Sequence, residues 1–249
     1  MRPKRATPVH PGFFWLGGFR SDMTGSKASR LRDLASWGSR PFVRFDYSGH
    51  GQSGGRFEDC TLSNWLDETE QVFALTEGWP MILIGSSMGG YLALLLARRL
   101  KEKDAVDRVK GIVLVAPAPD MTEALMWQSA DETARNTIMK NEVWLRPSAY
   151  GDPYPITRKL IEDGRKHLLL DEGLDLDMPV RILHGDRDED VPWQHGLRTF
   201  NALRGHDIQF TLIKDGDHRL SRDQDIWTIY HAAEKLAIQA ATKDPNPSR

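Results

Sequence analysis

The sequence predicts an α/β domain in which helices cover both faces of a mostly parallel sheet. Short apolar runs alternate along the chain with longer amphipathic segments, and this alternation is typical of strand–helix–strand units. The chain has 249 residues, of which 40% are hydrophobic. That length fits one large domain or two small ones, and it is sufficient to bury a sizeable core.

Six segments are predicted as strands because each is a short apolar run bounded by turn-forming residues. They are Gly12–Leu16, Pro41–Phe45, Met81–Ile84, Gly111–Ala116, Val180–His184 and Ile208–Ile213. Five longer segments have the length and apolar periodicity of helices. They are Lys27–Trp37, Leu62–Glu77, Met88–Lys101, Trp193–Leu203 and Arg222–Ala240.

One long connection, residues 120–177, interrupts the alternation and contains no clear strand. Connections of this length are usually functional, so we predict a helical lid inserted into a domain that spans residues 9–241. The alternative is a helical excursion that packs on the edge of the sheet. Residues 1–8 and 242–249 are polar, and we expect them to form flexible tails.

Composition excludes several classes of protein. The formal net charge is −2, without a block of like charges, which argues against a nucleic-acid-binding protein. No apolar stretch approaches the roughly 20 residues that a membrane span needs. The single cysteine, Cys60, permits neither an internal disulfide nor a four-cysteine zinc site. Since the N-terminus also lacks the features of a signal peptide, we expect a cytoplasmic protein. No residue pattern indicates a metal or an organic cofactor.

The segment Gly85–Gly89 fits the pattern G-x-S-x-G, with Ser87 at its centre. It follows an apolar strand and opens an apolar helix, so a sharp turn would expose the serine at the carboxyl edge of the sheet. The helix N-terminus would favour a developing negative charge there. An ordinary glycine-rich turn is the alternative. Ser86 is a second serine in the motif, but the spacing favours Ser87.

A serine nucleophile needs a base, normally a histidine held by a carboxylate. Among eight histidines, His218 follows the last strand and precedes the last helix, at the same sheet edge as Ser87. The loop after His184 offers an acid in the chain order serine, acid, histidine. It contains four carboxylates, and spacing alone leaves the choice open among Asp186, Asp188, Glu189 and Asp190.

These three loops together resemble the α/β-hydrolase superfamily over nearly the whole chain. The family pattern His-Gly-x-x-Asp-x-x-Val-Pro, matched by position, implies that Asp188 is the acid. The resemblance also implies an oxyanion hole formed by the backbone N–H groups of Phe19 and Met88, although Gly17-Gly18 stand where many relatives have His-Gly. The segment Asp46–Ser53 looks like a family turn that is usually structural.

A closer resemblance is to the subgroup of palmitoyl-protein thioesterases and acyl-glucuronide esterases with their bacterial relatives. It rests on Arg44–Ser53, Trp144–Tyr150, Pro192-Trp193 and Asp217–Arg219. It implies a serine hydrolase that cleaves S-acyl thioesters or acyl-glucuronide-type esters, with a small-molecule or acylated-protein substrate. Alternatives are a general short-chain carboxylesterase, a carbon–carbon bond hydrolase with the same triad, or a non-catalytic binding protein of this fold.

Aromatic residues of the insertion are candidates for an apolar acyl-binding cleft. The candidates are Trp127, Trp144, Tyr150 and Trp193, with Met126 and Tyr154 beside them. They could equally pack the insertion onto the core. Several cations could contact an anionic group of a substrate or form a solvated helical face. These cations are Arg146, Arg158, Arg165 and Lys166.

Overall fold

The computed structural model describes residues 10–76, 78–147 and 153–243. Within these ranges ten strands form: β1 (Gly12–Leu16), β2 (Phe42–Val43), β3 (Met81–Ser86), β4 (Val109–Val115), β5 (Val143–Arg146), β6 (Tyr154–Thr157), β7 (Leu174–Asp175), β8 (Val180–Gly185), β9 (Leu203–Arg204) and β10 (Ile208–Ile213). The same ranges contain seven α-helices: α1 (Ser26–Trp37), α2 (Leu62–Ala74), α3 (Met88–Glu102), α4 (Glu132–Asn141), α5 (Arg158–Gly164), α6 (Trp193–Ala202) and α7 (Asp223–Lys243).

The central sheet has six strands in the order β10-β8-β4-β3-β1-β2, and each neighbouring pair is parallel. Its two faces bury separate apolar clusters because successive strand side chains point to opposite sides. Phe13 and Ile82 face α1 and α7, whereas Phe14 and Leu83 face α2 and α3. This arrangement confirms the predicted fold class.

The chain reverses its direction of winding between β1 and β3. From β1 the chain passes through α1 to β2 on one side, and from β3 it passes through α3 to β4 on the other. Crevices form at the carboxyl ends of the strands at such a switch point. Gly17 follows β1 there and Ser87 follows β3, so the fold brings these two loops together.

The predicted elements occur near their expected bounds, with two differences at the ends. Only Phe42–Val43 of the second predicted strand pairs with β1, at the edge of the sheet. The last helix continues through Lys243, two residues into the segment predicted to be a tail. Residues 1–8 and 244–249 lie outside the described residues. No helix in the described part of the chain has the length and apolarity needed to cross a membrane.

The insertion between β4 and β8 contains a β-hairpin, which corrects the expectation of a segment without strands. Strands β5 and β6 pair antiparallel, with Trp144 opposite Ile156. A π-helical turn, Thr122–Trp127, precedes α4 and packs against α5. Asp120 anchors the return of the chain, because its carboxylate accepts the N–H groups of Leu169 and Leu170 at 2.8 and 3.0 Å.

Candidate active site

Ser87 stands at the junction of β3 and α3 with φ = 54° and ψ = −117°. A non-glycine residue at positive φ is strained, and such strain is typical of functional turns. Glycine is required on both sides because the neighbouring backbones are very close. A Cβ on Gly85 would lie 2.3 Å from the Gly89 carbonyl oxygen, and a Cβ on Gly89 would lie 2.0 Å from that of Leu16. The backbone therefore fixes the position of Ser87 in the turn between β3 and α3.

The structure brings Ser87, His218 and Asp188 together in one chain of hydrogen bonds. His218 Nε2 lies 3.1 Å from Ser87 Oγ, and His218 Nδ1 lies 2.8 Å from Asp188 Oδ2. A carboxylate accepts the proton on Nδ1, which leaves Nε2 free to accept the Ser87 proton. The other serine of the motif, Ser86, instead accepts a hydrogen bond from Lys27 at 2.9 Å.

Asp188 is buried and accepts hydrogen bonds on both oxygens. The backbone N–H groups of Asp190 and Val191 donate to Oδ1 at 3.0 and 2.8 Å. Burial alone would raise the pKa of Asp188, but hydrogen bonds from His184 and His218 outweigh burial and lower it to about 2. The carboxylate is therefore ionised at neutral pH, as a partner of a histidine base must be.

The other carboxylates of this loop have different surroundings. Asp186 accepts hydrogen bonds from Lys214 and from the backbone of Asp215 at the outer surface. Glu189 is exposed, and Asp190 lines the crevice beside His218. Because only Asp188 is both buried and bonded to His218, geometry separates it from three neighbours that spacing could not distinguish.

His184 supports the acid, a role that the sequence analysis did not assign to it. It is fully buried, and its Nε2 lies 3.2 Å from Asp188 Oδ2 and 2.9 Å from the Val191 carbonyl oxygen. Both neighbours are acceptors, so Nε2 carries the proton and is shared between them. Its position before a glycine at a strand end was the available signal.

The two predicted oxyanion donors belong to peptide units whose carbonyls are held in place. The Gly18 carbonyl accepts from both the N–H and the hydroxyl of Ser21, at 3.1 and 2.6 Å. The Ser87 carbonyl accepts the N–H of Gly90 at 2.9 Å. In a planar trans peptide the next N–H points the opposite way. These bonds therefore orient the N–H groups of Phe19 and Met88, the latter in the first turn of α3, where helical N–H groups lack intrahelical acceptors.

A crevice of about 730 Å³ opens at Ser87 and His218, and its two walls differ in character. The wall formed by the insertion is mainly apolar, with Arg146 as its charged residue. The apolar part of the lining includes Phe19, Ala118, Met121, Leu125, Met126 and Tyr154. The loop after β1 is mixed, because Arg20, Ser21 and Asp22 line the crevice beside Phe19. The wall formed by the start of α1 and the loop that contains His218 is mainly polar. Its polar residues are Ser26, Lys27, Ser86, Arg219 and Ser221.

The predicted aromatic contacts fit this crevice only in part, because Trp127, Trp144 and Trp193 lie outside its lining. Trp127 packs under the guanidinium groups of Arg135 and Arg165. Trp144 packs against the core from the hairpin, and Trp193 begins α6. Tyr150 lies outside the described residues. Met126 and Tyr154, named beside these aromatics, do line the crevice.

Of the cations considered from the sequence, only Arg146 reaches the crevice. The other three pair with carboxylates of the insertion. The pairs are Arg158 with Glu162, Arg165 with Glu123, and Lys166 with Asp163. Lys27, which the sequence analysis took only as the start of a helix, also lines the crevice. Nothing in its local sequence distinguishes it; its role depends on where α1 begins relative to Ser86.

One group of potential metal ligands overlaps the candidate active site. Asp188, Asp190 and His218 each place a ligand-type atom within 4.8 Å of the others. Asp188 and His218 are already hydrogen-bonded to each other, and Asp188 also accepts two backbone N–H groups. These hydrogen bonds account for the proximity of the group.

Comparisons with known proteins agree with this fold. A family model described as serine aminopeptidase, S33, a family of hydrolases, matches residues 23–162. The mitochondrial palmitoyl-protein thioesterase ABHD10 of Mus musculus is 32% identical over 244 residues, which cover 97% of this chain and 80% of that protein. The similarity thus extends over nearly the whole chain.

Solved structures show the same relationship. A putative hydrolase from Agrobacterium vitis S4 has a TM-score of 0.88 and 43% identity, covering 93% of this chain and 90% of that one. The α/β hydrolase domain-containing protein 10 from mouse has a TM-score of 0.82 and 29% identity, covering 92% and 90%. The chain therefore belongs to this hydrolase family, as a serine hydrolase of the α/β-hydrolase type related to the mitochondrial palmitoyl-protein thioesterases.

Proposed function

We propose that this protein hydrolyses carboxylic esters or thioesters through an acyl-enzyme formed on Ser87. The observation that carries the proposal is the hydrogen-bonded series Ser87–His218–Asp188, with distances of 3.1 and 2.8 Å. It supplies a nucleophile, a base and an ionised carboxylate in the order that acyl transfer requires. Ser87 and His218 line a crevice, which gives a substrate access to the nucleophile and the base.

The reaction has two halves. Ser87 Oγ attacks the carbonyl carbon while its proton passes to His218 Nε2. The oxyanion accepts hydrogen bonds from the N–H groups of Phe19 and Met88. His218 then gives its proton to the leaving oxygen or sulfur, and the bond between that atom and the acyl carbon breaks. A water molecule then attacks the acyl carbon while His218 takes its proton. His218 returns this proton to Ser87 Oγ as the acyl–oxygen bond breaks, which releases the carboxylic acid and restores Ser87.

The proposed substrates are S-acyl thioesters of the palmitoyl type or acyl-glucuronide-type esters. The relatives named palmitoyl-protein thioesterase support the first class. The apolar wall of the crevice supports an extended acyl chain, because Met121, Leu125 and Met126 together offer a flexible apolar surface. The acyl chain would lie against this wall and the leaving group on the side of His218.

The test is a comparison of wild type with Ser87→Ala on p-nitrophenyl esters and acyl thioesters of increasing chain length. We expect turnover by wild type and a loss of at least about 10³-fold in the variant, because the covalent route is removed. Ser36→Ala, on the exposed side of α1, is the matched control and should retain wild-type turnover.

The substrate that is hydrolysed fastest distinguishes between the candidate functions. A preference for long thioesters would support a depalmitoylase, and activity confined to short esters would indicate a general carboxylesterase. Equal rates for wild type and Ser87→Ala would contradict the mechanism. If neither folded protein turned over any ester or thioester, the proposal would fail in favour of carbon–carbon hydrolysis or a binding role.

A further inference from the structure

Lys27 occupies the polar wall of the crevice without a carboxylate partner. Within the described part of the chain its Nζ donates to the neutral hydroxyl of Ser86 at 2.9 Å and forms no ion pair. Ser86 immediately precedes the candidate nucleophile. Of the charged side chains in the crevice lining, Lys27, Arg20, Arg146 and Arg219 are cations and only Asp22 and Asp190 are anions. Among the described residues that line the crevice, positively charged side chains therefore outnumber negatively charged ones.

Lys27 also lies on the side of the nucleophile where the leaving group departs. Its ammonium interacts electrostatically with Asp217 and Arg219, which flank His218, and with Asp188. His218 is the group that protonates the leaving atom in the proposed reaction. A leaving group in contact with His218 is thus held on the polar wall, whereas the acyl chain faces the apolar wall of the insertion.

Burial lowers the pKa of Lys27 to about 8, an effect that Asp217 opposes. Because this value is above neutral pH, the side chain remains mostly protonated at pH 7. A half-buried ammonium that is paired only with a hydroxyl gains from an anion that enters the crevice.

We propose that Lys27 is a specificity-determining residue, which binds a carboxylate on the leaving group of the substrate. A singly charged carboxylate fits better than a phosphate dianion, because Asp22 and Asp190 stand in the same lining. The inference rests on the proposed Ser87 mechanism. In this proposal the polar wall binds the leaving group, which is a hydroxy acid or a thiol acid. The apolar acyl chain lies against the other wall.

Two esters of nearly the same shape, one with a charged and one with a neutral leaving group, test the proposal. They are the butanoyl ester of 3-hydroxybenzoate and the butanoyl ester of 3-hydroxybenzamide. For Lys27→Met we expect kcat/KM to fall about tenfold or more on the carboxylate ester and to change less than about twofold on the amide ester. Differences in intrinsic reactivity cancel, since each ester is compared between enzymes.

Two further variants serve as controls. Lys27→Arg keeps a cation and should retain much of the preference for the carboxylate ester. Arg32→Met removes a cation from the exposed side of the same helix, outside the crevice, and should leave both rates unchanged. This control separates a contact at Lys27 from a general effect of net charge.

The outcomes distinguish the two proposals. Equal losses on both esters would show that Lys27 is only structural, and unchanged rates on both would show that the carboxylate binds elsewhere; either result overturns the inference and leaves the Ser87 mechanism intact. If wild type turned over the amide ester but rejected the carboxylate ester, the polar wall would exclude anions and the inference would also fail. No Ser87-dependent turnover of either ester would defeat the proposed function itself.

The pH dependence of the preference is an independent readout. The charged and titratable groups around Lys27 are Asp188, Asp217, His218, Arg219 and Asp225. Both esters are cleaved by the same nucleophile and base, so a pH effect on the chemical step is common to both and cancels in the ratio of their kcat/KM values. As pH rises through about 8, Lys27 loses its charge and the ratio should fall. In Lys27→Arg the ratio should stay level, because arginine remains protonated. A level ratio in wild type would contradict the proposal.

Discussion

At the scale of single residues, the candidate site depends on which polar groups are buried together. Asp188 is held by two backbone N–H groups and two histidines, so its charge is stabilised in a place where an isolated carboxylate would be costly. Its lowered pKa has a consequence for stability. Asp188 stabilises the fold fully above the pKa of an unfolded aspartate, and this contribution is lost as pH falls toward about 2.

Replacing Asp188 with asparagine tests its role in catalysis. The amide N–H of the new side chain could donate to His218 Nδ1, which would place the imidazole proton on Nε2 and prevent that atom from accepting the Ser87 proton. We expect kcat in Asp188→Asn to fall by about 10³–10⁴-fold with an unchanged fold by circular dichroism. Glu189→Gln, at the adjacent exposed position, should be nearly neutral; a comparable loss there would contradict the assignment.

The residues of the site differed in how far the sequence could predict them. Motif and strand order were sufficient to indicate Ser87 and His218, because the carboxyl ends of parallel strands converge. Four carboxylates in one loop needed the family resemblance to select Asp188. Lys27 carries no motif, and its contact with Ser86 joins residues that are distant in the chain. Spacing along a chain does not reveal such contacts.

At the scale of elements, the junction of α3 with the end of β1 determines the site. The first turn of α3 lies so close to the end of β1 that only glycine fits at position 89. This contact fixes the loop that carries Phe19 relative to Ser87. The orientation of both proposed oxyanion donors therefore depends on the distance between a helix and a strand.

Gly89→Ala is expected to damage both folding and activity. Its Cβ would lie 2.0 Å from the Leu16 carbonyl oxygen and close to that of Gly17, so α3 would have to move away from β1. We expect a loss of at least about 2 kcal/mol in the free energy of unfolding, measured in urea, and a lower kcat in the protein that folds. Gly54→Ala is the matched control, because its Cβ would meet nothing within 4 Å. A stable and fully active Gly89→Ala protein would refute this account.

The insertion shows the limit of periodicity as a guide to elements. Each strand of its hairpin has four residues, and three prolines, at positions 147, 153 and 155, occur in or beside it. The two strands of such a segment are not recognised from the sequence, because short strands give little alternation and proline is rare in paired strands. Proline is tolerated at position 155 in a two-stranded hairpin, where each strand has a free edge. The role of the insertion as a lid stays a prediction.

At the scale of the whole molecule, α1 and α7 close one face of the sheet, and a largely buried ion pair joins α7 to the connection between α1 and β2. Arg40, in the connection after α1, donates two hydrogen bonds to the carboxylate of Glu234 on α7. The Arg40 side chain is only 5% exposed, whereas that of Glu234 is 23% exposed. The pair links the start of the chain to its last helix. The predicted cytoplasmic location also concerns the whole molecule, and it stays a prediction.

Removing Glu234 should destabilise the folded protein, because it leaves the Arg40 guanidinium buried without a counter-charge. For Glu234→Ala we expect a loss of about 3 kcal/mol in the free energy of unfolding, measured by urea denaturation. The double variant with Arg40→Met should recover part of this loss, since no unpaired charge remains. A double variant that is no more stable than Glu234→Ala alone would show that the charge is not the cause.

The proposed oxyanion donors are main-chain groups, and this has an evolutionary consequence. A substitution at Phe19 changes the wall of the crevice, where its ring packs against Tyr154, yet it keeps the N–H of that peptide unit. The acyl group that the enzyme accepts can thus diverge while the catalytic step is inherited unchanged. Related proteins with this fold can therefore acquire new substrates through substitutions in the crevice wall, and each intermediate sequence keeps its oxyanion donors.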